Sequence, residues 1–138
     1  MIVVDTNVIS EAMNPAPNQA VIAWLNLQSA QTLFITSVSV AELVFGIGIL
    51  PAGNRKNALA DAFEGLLALF EDRVLPFDVN AARHYALIAS SSRANGQTIA
   101  IADGFIAGIA GANGFAVATR DTAPFKAAGL AVINPWQS

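Results

Sequence analysis

Short runs of three or four apolar residues alternate along the chain with longer stretches in which apolar positions recur at helical spacing. The first pattern suits buried strands, the second helices with one inward face. Ile2-Val3-Val4 predicts a buried strand, and a helix follows from Asp5 until Asn14-Pro15-Ala16-Pro17 interrupts it. Asn18 to Gln28 resumes the helical pattern, with Val21, Leu25 and Trp24 inward. Leu33-Phe34-Ile35 predicts a second strand, and Val38 to Leu50 a helix with Leu43, Ile47 and Leu50 on one face. After a turn at Pro51-Ala52-Gly53-Asn54, Arg55 to Phe70 is helical. Val74-Leu75-Pro76-Phe77 predicts a third strand, placed at an edge because Pro76 has no ladder donor. Helices are expected over Asn80 to Asn95 and Ala102 to Ala112, stopped by Gly96 and Asn113-Gly114, and strands over Phe115 to Ala118 and Ala131 to Ile133.

Strands that alternate with helices specify an α/β fold of three layers, α/β/α, with a mainly parallel five-stranded sheet. Strands buried on both faces read as continuous apolar runs, as these do. Without repeats or a low-complexity linker, residues 1–138 are expected to form one domain. In this class, sites form at the C-terminal ends of the strands.

Composition sharpens the picture in three ways. Hydrophobic residues make up 54% of the chain and charged residues only 12%, so a disordered chain is excluded and some apolar surface is expected to be covered by self-association or a partner. With no cysteine and a single histidine, His84, zinc-thiolate sites, cysteine nucleophiles and histidine-based catalysis lose their raw material. The net charge of −3 argues against a sequence-independent DNA coat, but not against a nuclease that grips phosphate through metal ions. The apolar stretch from Thr98 to Ala118 contains Asp103, Asn113 and three glycines and reads as a buried helix and strand, not a membrane span. Met1-Ile2-Val3-Val4-Asp5 lacks a basic signal-peptide start, so a cytoplasmic protein is expected.

The acids fall into two groups. Asp61, Glu64, Glu71, Asp72 and Asp78 lie among polar or turn residues and are expected at the surface, as is Glu11. Asp5, Glu42, Asp103 and Asp121 instead each border an apolar segment, where an uncompensated charge is costly. Each has an ordinary structural reading: Asp5 and Asp103 as helix caps, Ser39-x-x-Glu42 as a capping box, Asp121 as an Asx turn before Pro124. Yet Asp5 and Asp121 follow predicted strands, and Glu42 and Asp103 lie near helix starts that can pack at the same edge. Four acids gathered there would repel, with Arg120 the one adjacent base. Such oxygen-rich clusters suit Mg²⁺ or Mn²⁺.

The ordered segments Val4-Asp5-Thr6-Asn7-Val8-Ile9-Ser10-Glu11, Ser39-Val40-Ala41-Glu42-Leu43, Ala102-Asp103-Gly104-Phe105-Ile106-Ala107 and Ala118-Thr119-Arg120-Asp121 resemble the PIN-domain family, and within it the VapC-type toxins of toxin–antitoxin pairs. The ending Val132-Ile133-Asn134-Pro135-Trp136 is similar to that of the FitB-like subgroup. The resemblance covers the whole chain. It implies a parallel α/β sheet, a Mg²⁺- or Mn²⁺-dependent endoribonuclease acting on RNA, a homodimer, and a cognate antitoxin that masks the site and carries the contact with operator DNA. Asp5, Glu42 and Asp103 match the three core acids of the family. Asp121 matches a more variable fourth, since many relatives carry Asn there and an Asp three residues later, where this chain has Pro124. Thr6, Asn7 and Thr119 match polar positions that arrange the acids.

Asp5 and Asp103 are the expected direct metal ligands, with Glu42 and Asp121 on a second ion or on water. Arg55, Lys56, Arg83, Arg93, Arg120 and Lys126 are candidate RNA contacts, Arg120 first because it adjoins Asp121. Other metal-dependent phosphoesterases stay open, although an aspartyl-nucleophile phosphatase wants an Asp where Asn7 stands. A phosphate-receiver domain wants paired acids after the first strand, where Val3-Val4 precede a lone Asp5. A non-catalytic PIN-like module that binds RNA or antitoxin also remains open.

Overall fold

The computed structural model describes residues 1–137. Its elements run β1 (Ile2–Val4), α1 (Thr6–Met13), α2 (Gln19–Leu27), a 3₁₀ turn (Ala30–Thr32), β2 (Leu33–Thr36), α3 (Ser37–Gly48), α4 (Asn54–Leu69), β3 (Val74–Leu75), α5 (Val79–Ala94), α6 (Ile101–Asn113), β4 (Ala116–Ala118), α7 (Thr122–Ala127) and β5 (Val132–Ile133). The five strands form one sheet in the order β3-β2-β1-β4-β5, and every pairing is parallel. The expected three-layer α/β fold is therefore the observed one, with the Pro76-bordered strand at an edge.

Alternate side chains of the central strand feed two separate cores, as the two-residue period of a strand requires. Val4 packs with Val8, Val21, Ile35, Leu43 and Phe63 on one face of the sheet. Val3 packs with Ile106, Ala110, Val117 and Phe125 on the other. Helices α1 to α4 thus cover one face, and α6 and α7 the other. Helix α6 ends where Gly114 takes a left-handed conformation (φ 69°), the turn that Asn113-Gly114 foretold. No described helix is long and apolar enough to cross a membrane; the Thr98–Ala118 stretch resolves into a lead-in, α6 and β4.

One element departs from expectation. Residues 122–127 form helix α7, where only a turn at Asp121 was anticipated. Pro124 fits because it sits in the first helical turn, whose N–H groups lack intrahelical partners in any case.

The chain order places a switch point at the middle of the sheet. From β1 the chain moves to β2 on one side, and it later returns to β4 on the other. Val4 is in register with Ala118, and the Asp5 N–H donates to the Ala118 carbonyl at 2.9 Å. The residues that follow β1 and β4, Asp5 and Thr119-Arg120-Asp121, therefore emerge side by side at the crevice where α/β sheets bind ligands.

Candidate active site

Asp5 is the centre of this crevice. It caps α1, with Oδ1 accepting from the Thr6 backbone N–H at 2.8 Å. Its other oxygen, Oδ2, accepts from the Thr119 hydroxyl at 2.7 Å. Capping and site geometry are thus one arrangement: the turn from β1 into α1 fixes the carboxylate, and the fully buried Thr119 at the end of β4 holds it from across the sheet. The Thr119 oxygen in turn accepts from the Asn7 amide at 3.3 Å and from the Asp121 N–H at 3.1 Å. Asn7 closes the lattice by accepting from the Arg120 N–H at 3.3 Å.

Glu42 reaches the crevice from α3. The Thr6 hydroxyl donates to Glu42 Oε1 at 2.6 Å and lies 2.8 Å from the hydroxyl of buried Ser39. One hydroxyl has one proton, so with Thr6 donating to Glu42, the Ser39 hydroxyl must donate to Thr6. Thr36 caps α3, accepting from the Ser39 N–H at 3.0 Å. The capping-box reading of Ser39 and Glu42 is therefore superseded. Ser39 is the supporting residue that sequence reasoning missed; its three-residue spacing from Glu42 was visible but pointed to a cap.

Asp103 lies in the first turn of α6, whose cap position is Ala100 with no side-chain capping bond. Asp121 precedes α7 and likewise makes no side-chain capping bond. The cap and Asx-turn readings of these two acids are thereby corrected: neither side chain performs that role.

Electrostatics ties the four acids together. Burial, opposed by the bonds from Thr119 and Thr6 and reinforced by the charges of Glu42 and Asp121, pushes the Asp5 carboxyl up from its ordinary value. Burial, with the charges of Asp5, Asp121 and Glu42, pushes Asp103 up to about 6. The four acids thus act on one another as a cluster, and no ion pair relieves them; the one among the described residues joins Arg73 to Asp72. As they stand, no three acidic or histidine side chains among the described residues gather tightly enough to enclose one ion. Carboxylate side chains rotate readily, whereas the backbone positions of Asp5 after β1, Asp121 after β4, Glu42 on α3 and Asp103 on α6 are set by the fold.

The remaining candidates disperse. His84 is exposed on α5, with Nδ1 3.0 Å from the Asn80 carbonyl. Lys56 donates to the Gly48 carbonyl at 3.0 Å. Arg83, Arg93 and Lys126 are exposed on α5 and α7. Arg55 borders a groove that runs from Thr6 and Glu42 between α1, α3 and α4 over Met13, Leu43, Ile47 and Leu59. The Arg120 guanidinium lies over the Trp136 ring, 5.2 Å from its centroid.

The PIN-domain family model matches residues 2–130. The chain is 49% identical over 138 residues to the VapC ribonuclease Y4jK of Sinorhizobium fredii, covering 99% of each. It superposes on a chain in the crystal structure of FitAcB from Neisseria gonorrhoeae with a TM-score of 0.95 and 45% identity, covering all of both chains. A FitAB complex bound to an IR36 DNA fragment gives a TM-score of 0.94 and 44% identity, covering all of this chain and 97% of that one.

Proposed function

The chain belongs to the PIN-domain family, and we propose that it is the toxin of a toxin–antitoxin pair: a Mg²⁺- or Mn²⁺-dependent endoribonuclease that hydrolyses RNA phosphodiester bonds at Asp5, Glu42, Asp103 and Asp121. The observation that carries this reading is geometric: Asp5 and Asp121 follow the paired strands β1 and β4, Glu42 is tied to Thr6 beside them, Asp103 feels the charges of all three, and no cation is paired to any of them among the described residues. A ribonuclease named among the relatives supports the activity, and FitAB complexes support a small partner protein, through which DNA would be reached.

The residues fit a hard divalent ion. Every candidate donor is a carboxylate oxygen, and burial together with mutual repulsion raises the cost of keeping Asp5 and Asp103 charged without a counter-ion. Asp5 and Asp103 would be the direct ligands; Glu42 and Asp121 would hold a second ion or its water. A bound divalent ion supplies an activated water, neutralises the phosphate and stabilises the leaving oxygen. The chain's own residues do the rest. Thr119 fixes the orientation of Asp5, Thr6 that of Glu42, and Asn7 ties the ends of β1 and β4 into one unit. Residues 1–138 would act as one domain, in the cytoplasm, as a homodimer.

Purified protein incubated with total RNA should cleave it with Mg²⁺ or Mn²⁺ and stop in EDTA. The looseness of the acids lends weight to a second reading, a non-catalytic module that binds RNA or antitoxin. RNA binding without cleavage under any divalent ion would favour that module.

A further inference from the structure

Arg120 presents a physical puzzle. It is exposed, it adjoins Asp121, and its backbone is tied through Asn7 and Thr119 to Asp5. A flexible cation beside four coupled acids should fold onto one of them, since opposite charges in a partly desolvated site attract strongly. It does not: Arg120 makes no ion pair among the described residues, and its charge is not among those acting on Asp5 or Asp103. The guanidinium rests instead on the face of Trp136, 5.2 Å from the ring centroid, a distance within cation–π range.

The aromatic face is itself built in. Pro135 is fully buried, and the Trp136 N–H donates to Asn134 Oδ1 at 3.0 Å, an Asx turn that sets the direction of the tail. The Trp136 side chain packs partly buried against the core that contains Val4 and Val8. The tail after β5 therefore carries a rigid aromatic plate to the lip of the acidic crevice.

We propose that Trp136 is a positioning residue that holds Arg120 off the acids and aims its guanidinium outward, at an RNA phosphate flanking the scissile one. This rests on the ribonuclease reading above. An arginine paired with Asp121 would commit its N–H fork to that carboxylate and bind phosphate more weakly; one stacked on indole keeps its charge and its planar fork free for two phosphate oxygens. The acidic crevice would take the reacting phosphate through its metal, and the Arg120–Trp136 pair supplies a fixed cation at its lip.

The test compares Arg120→Ala, Trp136→Leu, which keeps apolar bulk without an aromatic face, and Trp136→Phe, which keeps the face. Steady-state cleavage of a single-stranded RNA is measured across a salt series, with melting temperature as the folding check. Arg120→Ala and Trp136→Leu should each raise KM roughly fivefold to tenfold with little change in kcat, and flatten the dependence of log KM on log salt by about 0.7, the loss of one phosphate contact on a single strand. Trp136→Phe should stay within about twofold of wild type, and the Arg120→Ala/Trp136→Leu double variant should be no worse than Arg120→Ala, because the two act as a unit. Wild-type KM in Trp136→Leu, additive losses in the double variant, or equal losses in the Leu and Phe variants would overturn the proposal. If wild type cuts no RNA with either metal, the ribonuclease reading fails on its own; filter binding of the same RNA then decides the clamp by the same variants and salt slopes. Binding without these dependences overturns it, as does an absence of binding.

Discussion

Asp103 is the residue whose chemistry is most exposed to measurement. Its carboxyl is held at about 6, against an ordinary value of 3.8, by burial and by the charges of Asp5, Asp121 and Glu42. The folded protein therefore binds a proton at Asp103 more tightly than the unfolded chain does, so this contribution to stability is fully present below about pH 4 and is lost as pH rises through about 6. Asp5 is raised too and acts in the same direction. In metal-free buffer the melting temperature should fall between pH 4 and pH 6.5, as thermal scans in EDTA would record. Asp103→Asn should melt higher than wild type at pH 7 and follow a shallower pH dependence, with some slope left by Asp5. An unchanged slope in Asp103→Asn would mean that neither burial nor the neighbouring acids raise Asp103. One of the four acids, Glu42, also marks where local sequence reading failed. Ser39 and Glu42 have the spacing of a capping box, yet Glu42 turns to Thr6, 36 positions away, and no local pattern reveals so distant a partner.

At the scale of elements, α6 presents Asp103 in its first turn while packing closely against α5, and Gly108 makes that packing possible. A Cβ at Gly108 would stand 2.7 Å from the Ala81 carbonyl oxygen and 3.0 Å from Tyr85 Cβ and N, so α5 would have to move. Gly108→Ala should cost about 1–3 kcal/mol in denaturant titration despite the better helix propensity of alanine. Gly65 in α4 has nothing within 4 Å of a built Cβ, and Gly65→Ala should stabilise by about 0.5–1 kcal/mol. Equal effects would mean that the α5–α6 contact is loose. Most elements were legible because apolar period and stop signals agreed, as at Asn18, which caps α2, and at Gly114, which ends α6. Helix α7 was not, because six residues with an internal proline carry no readable period; its one buried residue, Phe125, earns its place through long-range packing.

At the scale of the molecule, the continuous apolar strands announced a parallel sheet covered on both faces, and the switch point then follows from strand order, which no residue pattern states. The apolar excess of the composition has a visible destination. Val44 and Phe45 on α3, Ile49 just after it, and Leu69 on α4 lie exposed, as do Val79 and Leu87 on α5 and Ile101 on α6. Such surface is expected to be covered by a second copy or by the antitoxin. Sedimentation equilibrium at micromolar concentration should return twice the chain mass; a strict monomer that also retains no co-expressed small protein would contradict the assembly. The central claim, that four acids hold the metal that cuts RNA, meets its most direct test in Asp5→Asn. This change keeps the size of the Asp5 side chain and its acceptor for the Thr6 N–H while removing the charge. RNA cleavage in Mg²⁺ or Mn²⁺ should fall at least about a hundredfold, with the fold intact by circular dichroism, since even partners of metal ligands cost ten- to a hundredfold. Cleavage by Asp5→Asn at the wild-type rate, or wild-type cleavage undiminished in EDTA, would contradict it.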